Sequence, residues 1–180
     1  HYIKQTYRNR CTIAGPDGEL ALSIPTVKPD TLKCPMKDIR ISDHGNWRHL
    51  HWNAIESAYN NTPFFEYYKD DFRPFYEKKY EFLIDFNEEI CRLVCQLIDI
   101  QPNIERTSAY KMEFSAEETD FRESIHPKKD FRTTDPEFSP QPYYQVFESK
   151  LGFLPNLSII DLLFNMGPES LLVLKKPTRL

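Results

Sequence analysis

The chain has 180 residues, of which 40% are hydrophobic, and a formal net charge of -4 at pH 7. This length supports one hydrophobic core, so we expect a single domain over residues 1–180. Basic residues are scattered among acidic ones, which argues against a nucleic-acid groove, and no apolar run is long enough to span a bilayer. We therefore expect a soluble, cytoplasmic protein that neither binds nucleic acid nor inserts into a membrane.

The N-terminal part of the chain carries strand signals. Two strand-like runs, 9–14 and 19–27, flank the tetrapeptide Gly-Pro-Asp-Gly at 15–18, and this pattern predicts a β-hairpin. Residues 37–41 indicate a further short strand. Because the chain starts in an extended pattern without an initiator methionine, we expect an upstream unit that pairs with the hairpin, which would make the domain incomplete at its N-terminus.

Helical spacing of apolar residues begins after the turn at 43–45. Apolar side chains recur at i, i+3 and i+4 across residues 46–59, which predicts a helix. The aromatic-rich run 64–73 predicts a second helix. This helix should break ahead of Pro74, because the residue before a proline disfavours helical geometry.

A third helix carries an apolar stripe over residues 90–98. Asp85 and Glu88 form a D-x-x-E pattern, which predicts that Asp85 caps this helix. Cys91 and Cys95 lie one turn apart within the stripe, and none of the four cysteines forms a C-x-x-C pair. We expect buried free thiols, no metal site and no cofactor.

The second half of the chain mixes strand, loop and helix signals. We predict strands at 104–110 and 143–147, separated by a long irregular loop over 111–142 whose charges and prolines interrupt any periodicity. The alternation of strands and helices predicts an α/β or α+β fold. In it a mixed sheet is covered by helices, with a β-hairpin near the N-terminus and a buried helix near the C-terminus.

The C-terminal helix follows Pro155 and ends at Gly167, and it is apolar on nearly every side except at Asp161. Two interpretations of Asp161 stay open. With Ser158 it could complete an S-x-x-D capping box, or it could be a functional carboxylate in a cleft, since buried charges are paired or used. We predict the cleft, with Asn156 or Arg10 close to the carboxylate.

Two polar clusters could carry chemistry. Arg8, Asn9 and Arg10 supply fork-shaped donors for a phosphate or carboxylate, although they could equally be solvated strand residues. His51 shares an apolar helix face, so it is either a hydrogen-bonded core histidine or a general acid–base. His49 differs from it by two positions and cannot join it in binding a metal on a helix. No nucleotide-binding glycine loop is present.

Three strings carry a resemblance to a known family: Gln-Thr-Tyr-Arg-Asn-Arg at 5–10, residues 47–59, and residues 153–169. Read together they resemble the WbqC-like family, a bacterial group named after a protein encoded in O-antigen clusters. The C-terminal string matches Phe-Ile-Pro-Asn-Leu-Ser-Ile-Ile-Asp-Leu-Leu-Phe-Asn, with Leu154 in place of the first isoleucine. Family members usually begin with an additional strand–loop–helix unit that is absent here.

The resemblance implies a transferase in surface-polysaccharide assembly, which would add an acyl or aminoacyl group to an activated amino sugar. The substrate would be a small molecule such as a nucleotide sugar. His51 and Asp161 would be catalytic, and the substrate-binding residues would be Arg8, Asn9, Arg10, Trp47, Asn156, Ser158 and Asn165. Asp161, Asn156 and Asn165 would orient the acceptor.

The alternative is a non-catalytic module that binds a sugar or a protein of the assembly machinery through exposed aromatic side chains at Tyr67, Tyr68 and Phe72. A cleft that gathers Arg8 or Arg10 with His51 and Asp161 would favour the enzyme.

Overall fold

A computed structural model describes residues 1–31, 34–122, 125–134, 136 and 138–175. Within these ranges the two strands are β1 (Arg10–Gly15) and β2 (Gly18–Ser23). The helices are α1 (Trp47–Tyr59), α2 (Phe65–Phe72), α3 (Pro74–Glu77), α4 (Leu83–Leu97), α5 (Phe131–Thr134), α6 (Glu148–Leu151), α7 (Ile159–Met166) and α8 (Ser170–Lys175). Short 3-10 turns occupy Met36–Asp38, His44–Asn46 and Gly167–Glu169. The predicted mixture of helices with an N-terminal hairpin and a buried C-terminal helix is confirmed.

The hairpin forms around the predicted turn. β1 and β2 are antiparallel, and the pairing closes at Gly15 opposite Gly18, so that Pro16 and Asp17 form the tip. Ile13 and Leu22 lie on the same face of this ribbon and are buried in the core. The opposite face carries Arg10, whose strand partner is Ser23.

The strand predicted at 37–41 is largely wrong. Met36–Asp38 is a 3-10 turn, and the residues after it make only isolated bridges, Thr26 with Ile41 and Arg40 with Phe82. The main-chain N–H of Ile41 still donates to the carbonyl of Glu81 at 2.9 Å. The segment is therefore extended between two neighbours, but it is too short for a regular ladder.

Aromatic side chains build the main core. Tyr59 of α1, Phe65 and Phe72 of α2, and Phe164 of α7 are each at most 2% exposed. The ring of Phe164 meets the other three at centroid distances of 5.1–5.4 Å, at tilted or edge-to-face angles that favour aromatic pairs. The predicted break before Pro74 is confirmed, since α2 ends at Phe72 and α3 begins at Pro74, but Arg73 between them keeps helical backbone angles (φ -53°, ψ -42°), so the reason given for the break is wrong.

The predicted cap of α4 is wrong. The helix starts at Leu83, its N-cap residue is Phe82, and no side chain caps it. Asp85 therefore lies inside the first turn, where its carboxylate interacts with the helix dipole instead of capping the helix. Glu88 instead accepts two hydrogen bonds from the guanidinium of Arg106.

The apolar stripe of α4 is only partly covered. Leu83 and Phe86 are its buried residues, whereas Cys91 is exposed and Cys95 is half-buried. Both thiols are free as expected, but the expectation that they are buried is wrong for Cys91.

The strands predicted at 104–110 and 143–147 do not form, and these segments are irregular. The loop over 111–142 is irregular as predicted apart from α5 within the described residues, while positions 123, 124, 135 and 137 of it lie outside them. No helix in the ranges described above has the length and apolar content needed to cross a bilayer.

Candidate functional site

An apolar crevice of about 300 Å³ lies between the start of β1, one face of α4 and the start of α7. Its apolar lining includes Leu22, Ile24, Phe86, Ile90, Val94 and Ile160. Its polar lining includes Arg8, Asn9, Arg10, His51, Asn87 and Ser158. Five of the nine residues that the sequence marked as functional therefore meet in one space, which we call the crevice.

His51 lines the crevice from α1. Its ring makes edge contacts with Trp47 and Tyr76 at centroid distances of 5.2 and 6.5 Å, and its side chain makes no hydrogen bond to the described residues. Burial lowers the pKa of His51 to about 4, because the charged imidazolium loses its hydration there. The imidazole is therefore neutral at pH 7, and the same burial makes it a weaker base than an exposed histidine.

The lowered pKa of His51 makes folding stability depend on pH. The unfolded chain binds a proton at this histidine below pH 6.5 and the folded chain only below about pH 4, so stability should fall as the pH drops from 6.5 towards 4. We expect His51→Gln to lose this part of the dependence. Urea unfolding of both proteins at pH 7 and 4.5 measures it, and equal losses in the two proteins would contradict the prediction.

Asn9 contributes an acceptor without a partner. Its amide nitrogen donates to the carbonyl of Ile24 at 2.9 Å, which orients the side chain. Its Oδ1 is buried and has no hydrogen-bond partner in the described structure. Buried polar atoms are nearly always bonded, so a donor group of a ligand would complete this site.

The two arginines beside Asn9 differ in the hydrogen bonds that their guanidinium groups make to the protein. Arg8 donates to the hydroxyl of Thr6 and the carbonyl of Arg122, both at 3.3 Å, and its own carbonyl accepts from Asn87 at 2.8 Å. Arg10 donates from Nε to the hydroxyl of Ser23 at 2.9 Å. The two Nη groups of Arg10 can therefore still reach a ligand.

A second, polar space of about 500 Å³ adjoins the crevice. It is lined by Arg10, Thr12 and Glu19 of the hairpin and by Arg132 and Asn156 from later segments. Tyr7 and Arg10 line both spaces. We call this second space the polar pocket, and a ligand that passed Arg10 would occupy it together with the crevice.

Asp161 lies in the core instead of a cleft. It is 0% exposed and accepts hydrogen bonds from the hydroxyls of Tyr59 (2.8 Å) and Tyr143 (2.7 Å) and the amide of Gln145 (3.3 Å). Burial raises the pKa of Asp161, and these hydrogen bonds oppose the rise. In the described structure Asn156 donates to Tyr7 and Arg10 donates to Ser23, and neither bonds to this buried carboxylate, so the predicted cleft around Asp161 is wrong.

The capping interpretation of Asp161 is also wrong. Ser158 is the N-cap residue of α7 by position, but it makes no side-chain cap hydrogen bond. Ser158 instead lines the crevice, and its main-chain N–H donates to the carbonyl of Thr12 at 2.7 Å. The Ser158 side chain therefore does not make the capping hydrogen bond that the S-x-x-D pattern predicted, and Asp161 bonds to other residues instead.

Asn165 extends the network around Asp161. Its Nδ2 donates to the carbonyl of Asp161 at 2.7 Å, and its Oδ1 accepts from the main-chain N–H of Val146 at 3.1 Å. The side chain of Gln145 pairs with the main chain of Leu154 through bonds of 2.8 and 2.9 Å. These contacts attach residues 143–146 to α7, so the polar residues of the C-terminal motif hold a loop in place.

The remaining candidates lie apart from the crevice. Trp47 is buried and donates from its indole to the carbonyl of Ser42 at 3.0 Å. Asn156 lines the polar pocket and donates to the Tyr7 hydroxyl at 3.3 Å. Trp47, Asp161 and Asn165 are absent from the described lining of both spaces. The structure thus gathers Arg8, Arg10 and His51 but leaves Asp161 out.

The sequence missed several residues of this region. Tyr59, Tyr143 and Gln145 bind Asp161, and no local pattern marked them. Cys11 lines the crevice, where burial raises the pKa of its thiol to about 11 and makes it a poor nucleophile.

The aromatic surface proposed for the binding alternative is mostly core. Tyr67 is 78% exposed, but Tyr68 and Phe72 are buried. No three His, Cys, Asp or Glu side chains in the described ranges are arranged to hold a metal ion.

Comparison with known proteins identifies the family. The family model of the WbqC-like protein family matches residues 1–125. The chain belongs to the WbqC-like family. The match includes the crevice residues from β1, α1 and α4, whereas α7 lies beyond it.

A relative of this WbqC-like protein occurs in Mycobacterium tuberculosis (strain ATCC 25618 / H37Rv). It is the uncharacterized protein Rv1507c, which is 24% identical over 189 aligned positions that cover 94% of this chain and 81% of the relative. No solved structure matches the chain significantly.

Proposed function

We propose that this WbqC-like protein is a transferase of surface-polysaccharide biosynthesis, which adds an acyl group to the amine of an activated amino sugar. The observation that carries the proposal is the pair of adjoining spaces with opposite character that share Tyr7 and Arg10. The polar pocket suits the sugar and its phosphate, and the crevice suits the acyl group. The reaction would take place where the two spaces meet.

Arg10 is the best candidate for the phosphate. Its Nε is held by Ser23, which fixes the direction of the guanidinium, and its Nη groups can form charge-assisted hydrogen bonds to phosphate oxygens. Asn156 and Tyr7 already bond to one another in the polar pocket and offer further polar contacts to a sugar. The guanidinium of Arg8 already donates to Thr6 and to the carbonyl of Arg122, so its role is secondary.

The lining of the crevice favours an uncharged acyl group over an aminoacyl group. None of its described lining residues is an aspartate or glutamate, while two are arginines. The ammonium group of an aminoacyl donor would be buried there without a counter-ion, and an unpaired buried charge is costly. An aliphatic acyl group carries no such cost.

His51 would be the general base. The amine of the sugar attacks the carbonyl carbon of an acyl thioester, a C–N bond forms, and the C–S bond breaks. Neutral His51 accepts the proton that leaves the nitrogen and returns it to the departing thiolate. The unpaired Oδ1 of Asn9 would accept an N–H of the amine and orient it for attack. Asp161 would act at a distance by holding α7 and its loop.

Removal of the imidazole tests this function. Thiol release from an acyl-coenzyme A series is measured with a nucleotide-linked amino sugar as the acceptor. We expect His51→Gln to lower kcat by about 10²–10⁴-fold with little change in KM.

His44→Gln is the matched control, because it removes an imidazole just before α1 that lines neither space. It should leave kcat unchanged. Equal rates for His51→Gln and the wild type would contradict the proposed base. Saturable binding of the nucleotide sugar without thiol release from any donor would support the non-catalytic sugar-binding module instead.

A further inference from the structure

A third space, of about 370 Å³, lies between the start of α1 and α3, and the function proposed above does not use it. Its described lining includes Asp43, Arg48, Trp52, Arg73, Glu77 and Lys79. We call it the Arg48 pocket.

Arg48 is held firmly but is not fully bonded. Its side chain is only 13% exposed, and Nη1 bonds to Asp43 at 2.5 Å. The guanidinium carbon lies 4.6 Å from the ring centroid of Trp47, which supports it from one face. Its Nε and Nη2 are buried and have no hydrogen-bond partner in the described structure.

The two unpaired atoms are the same pair that other arginines of this protein use for carboxylates. Arg106 donates from Nε and Nη2 to the two oxygens of Glu88, at 2.7 and 2.5 Å. Arg122 binds Asp120 in the same way, at 2.8 and 2.7 Å. This edge of a guanidinium matches two oxygens of one oxyanion. In Arg48 the same edge, formed by Nε and Nη2, bonds to no carboxylate of the described structure.

The other charges of the Arg48 pocket are already paired. The ammonium of Lys79 bonds to Asp43 at 2.9 Å and, together with Arg48, holds the pKa of that carboxyl below its usual range. Arg73 bonds to Glu77 at 2.7 Å. Three cationic side chains thus face two carboxylates, which leaves one positive charge for a ligand to neutralise.

We propose that the Arg48 pocket binds a carboxylate or phosphate group of a small ligand, through two parallel hydrogen bonds from Nε and Nη2 of Arg48. The proposal does not depend on acyl transfer, because it uses a different space and none of the residues assigned to that reaction. A phosphate and a carboxylate present the same pair of oxygens, and the experiment separates them.

The two tryptophans of the chain allow the binding to be observed directly. Trp47 supports Arg48, and Trp52 lines the pocket. We expect sodium phosphate or sodium acetate, added at constant ionic strength, to change tryptophan emission with a saturable curve, while sodium chloride does not. In the ¹⁵N-labelled wild type, the Nε–H signal of Arg48 should shift with the same midpoint. A response to only one of the two anions identifies the ligand group.

Arg48→Lys keeps the charge but removes the fork, so we expect at least about tenfold weaker binding. Arg40→Lys is the matched control. Arg40 also pairs with a carboxylate, Glu81 at 3.0 Å, and lies 5.4 Å from the ring centroid of Phe82, but it is 61% exposed. It should bind the anion like the wild type.

Absence of a saturable response to both anions in the wild type, or equal affinity in Arg48→Lys, would overturn the proposal. If Arg48→Lys does not fold, Lys79→Gln provides a second variant, because Lys79 is 77% exposed and its loss removes one positive charge from the pocket. It should weaken anion binding severalfold, and unchanged binding would count against the site.

Discussion

Replacing Gly167 with alanine should lower the free energy of unfolding by about 4 kcal/mol, through backbone strain and a steric clash together. Gly167 ends α7 with φ 53° and ψ -129°, a conformation that side chains with a Cβ rarely adopt. A Cβ there would lie 2.5–2.6 Å from three atoms of the Phe64 ring, including Cγ at its root. Rotation of the ring about its own axis cannot remove a clash at Cγ.

Gly152→Ala separates the two contributions. Gly152 has a similarly strained backbone, with φ 71° and ψ -174°, but no atom lies within 4 Å of a Cβ built there. It should cost only about 1–2 kcal/mol, which is the strain alone. Urea unfolding measures both variants, and similar losses for the two would show that Phe64 yields to the new methyl group.

Local patterns in the sequence predicted the parts of the fold that local forces determine. The tetrapeptide at 15–18 contains the turn within itself, so the hairpin followed from it. The spacing of apolar residues located α1, and Pro74 located the break after α2. Each of these features depends on residues that are neighbours in sequence.

The strand prediction at 143–147 failed because a local sequence pattern does not specify which segment the main chain will bond to. An alternation of polar and apolar residues records which side chains can be buried, but a strand also needs a partner for its main chain. At Val146 the main-chain N–H bonds to the side chain of Asn165 instead of a neighbouring strand. The main chain of this segment therefore bonds to a side chain of α7. The sequence predicted that helix, but it did not predict which segment the helix side chains would contact.

The sequence predicted several residues of the candidate site, but it did not predict the shape of the crevice that they line. Arg8, Asn9, Arg10 and His51 were marked by their chemistry, and they line one crevice. α4 was visible only as an apolar stripe. Some residues of this stripe pack in the core and others face the crevice. Contacts between segments distant in sequence decide between the two, and the spacing of apolar residues does not predict such contacts.

Asp161→Asn should cost about 3 kcal/mol of stability and leave ligand affinity per folded molecule unchanged. The carboxylate partners, Tyr59, Tyr143 and Gln145, are separated from it by 102, 18 and 16 residues in sequence, so the network joins α1 and the loop before α6 to α7. All three partners donate. An asparagine offers one accepting oxygen and one NH₂ group, so at least one donor would face another donor inside the core.

Reorientation of the Tyr59 hydroxyl cannot repair this loss. The hydroxyl oxygen of Tyr59 already accepts the main-chain N–H of Ala14 at 3.1 Å, so turning its proton away from residue 161 would leave that proton without an acceptor. Tyr143→Phe is the matched control, since it removes one donor and leaves the carboxylate with two. It should cost about 1–2 kcal/mol, and its effect should shrink in the Asp161→Asn background, because the bond it removes is already weakened there.

Thermal unfolding and nucleotide-sugar binding measured on the same Asp161→Asn protein separate structure from chemistry. A carboxylate that touched substrate would be expected to lose affinity or kcat while the fold stayed nearly as stable, because the cost would fall on the complex. A carboxylate that joins three buried donors should show the reverse, since its cost falls on the folded state itself. A stability loss below about 1 kcal/mol together with a large loss of affinity would contradict this prediction and would mean that Asp161 contacts the substrate. Because Asp161 does not line the crevice, the substrate would then have to extend beyond it.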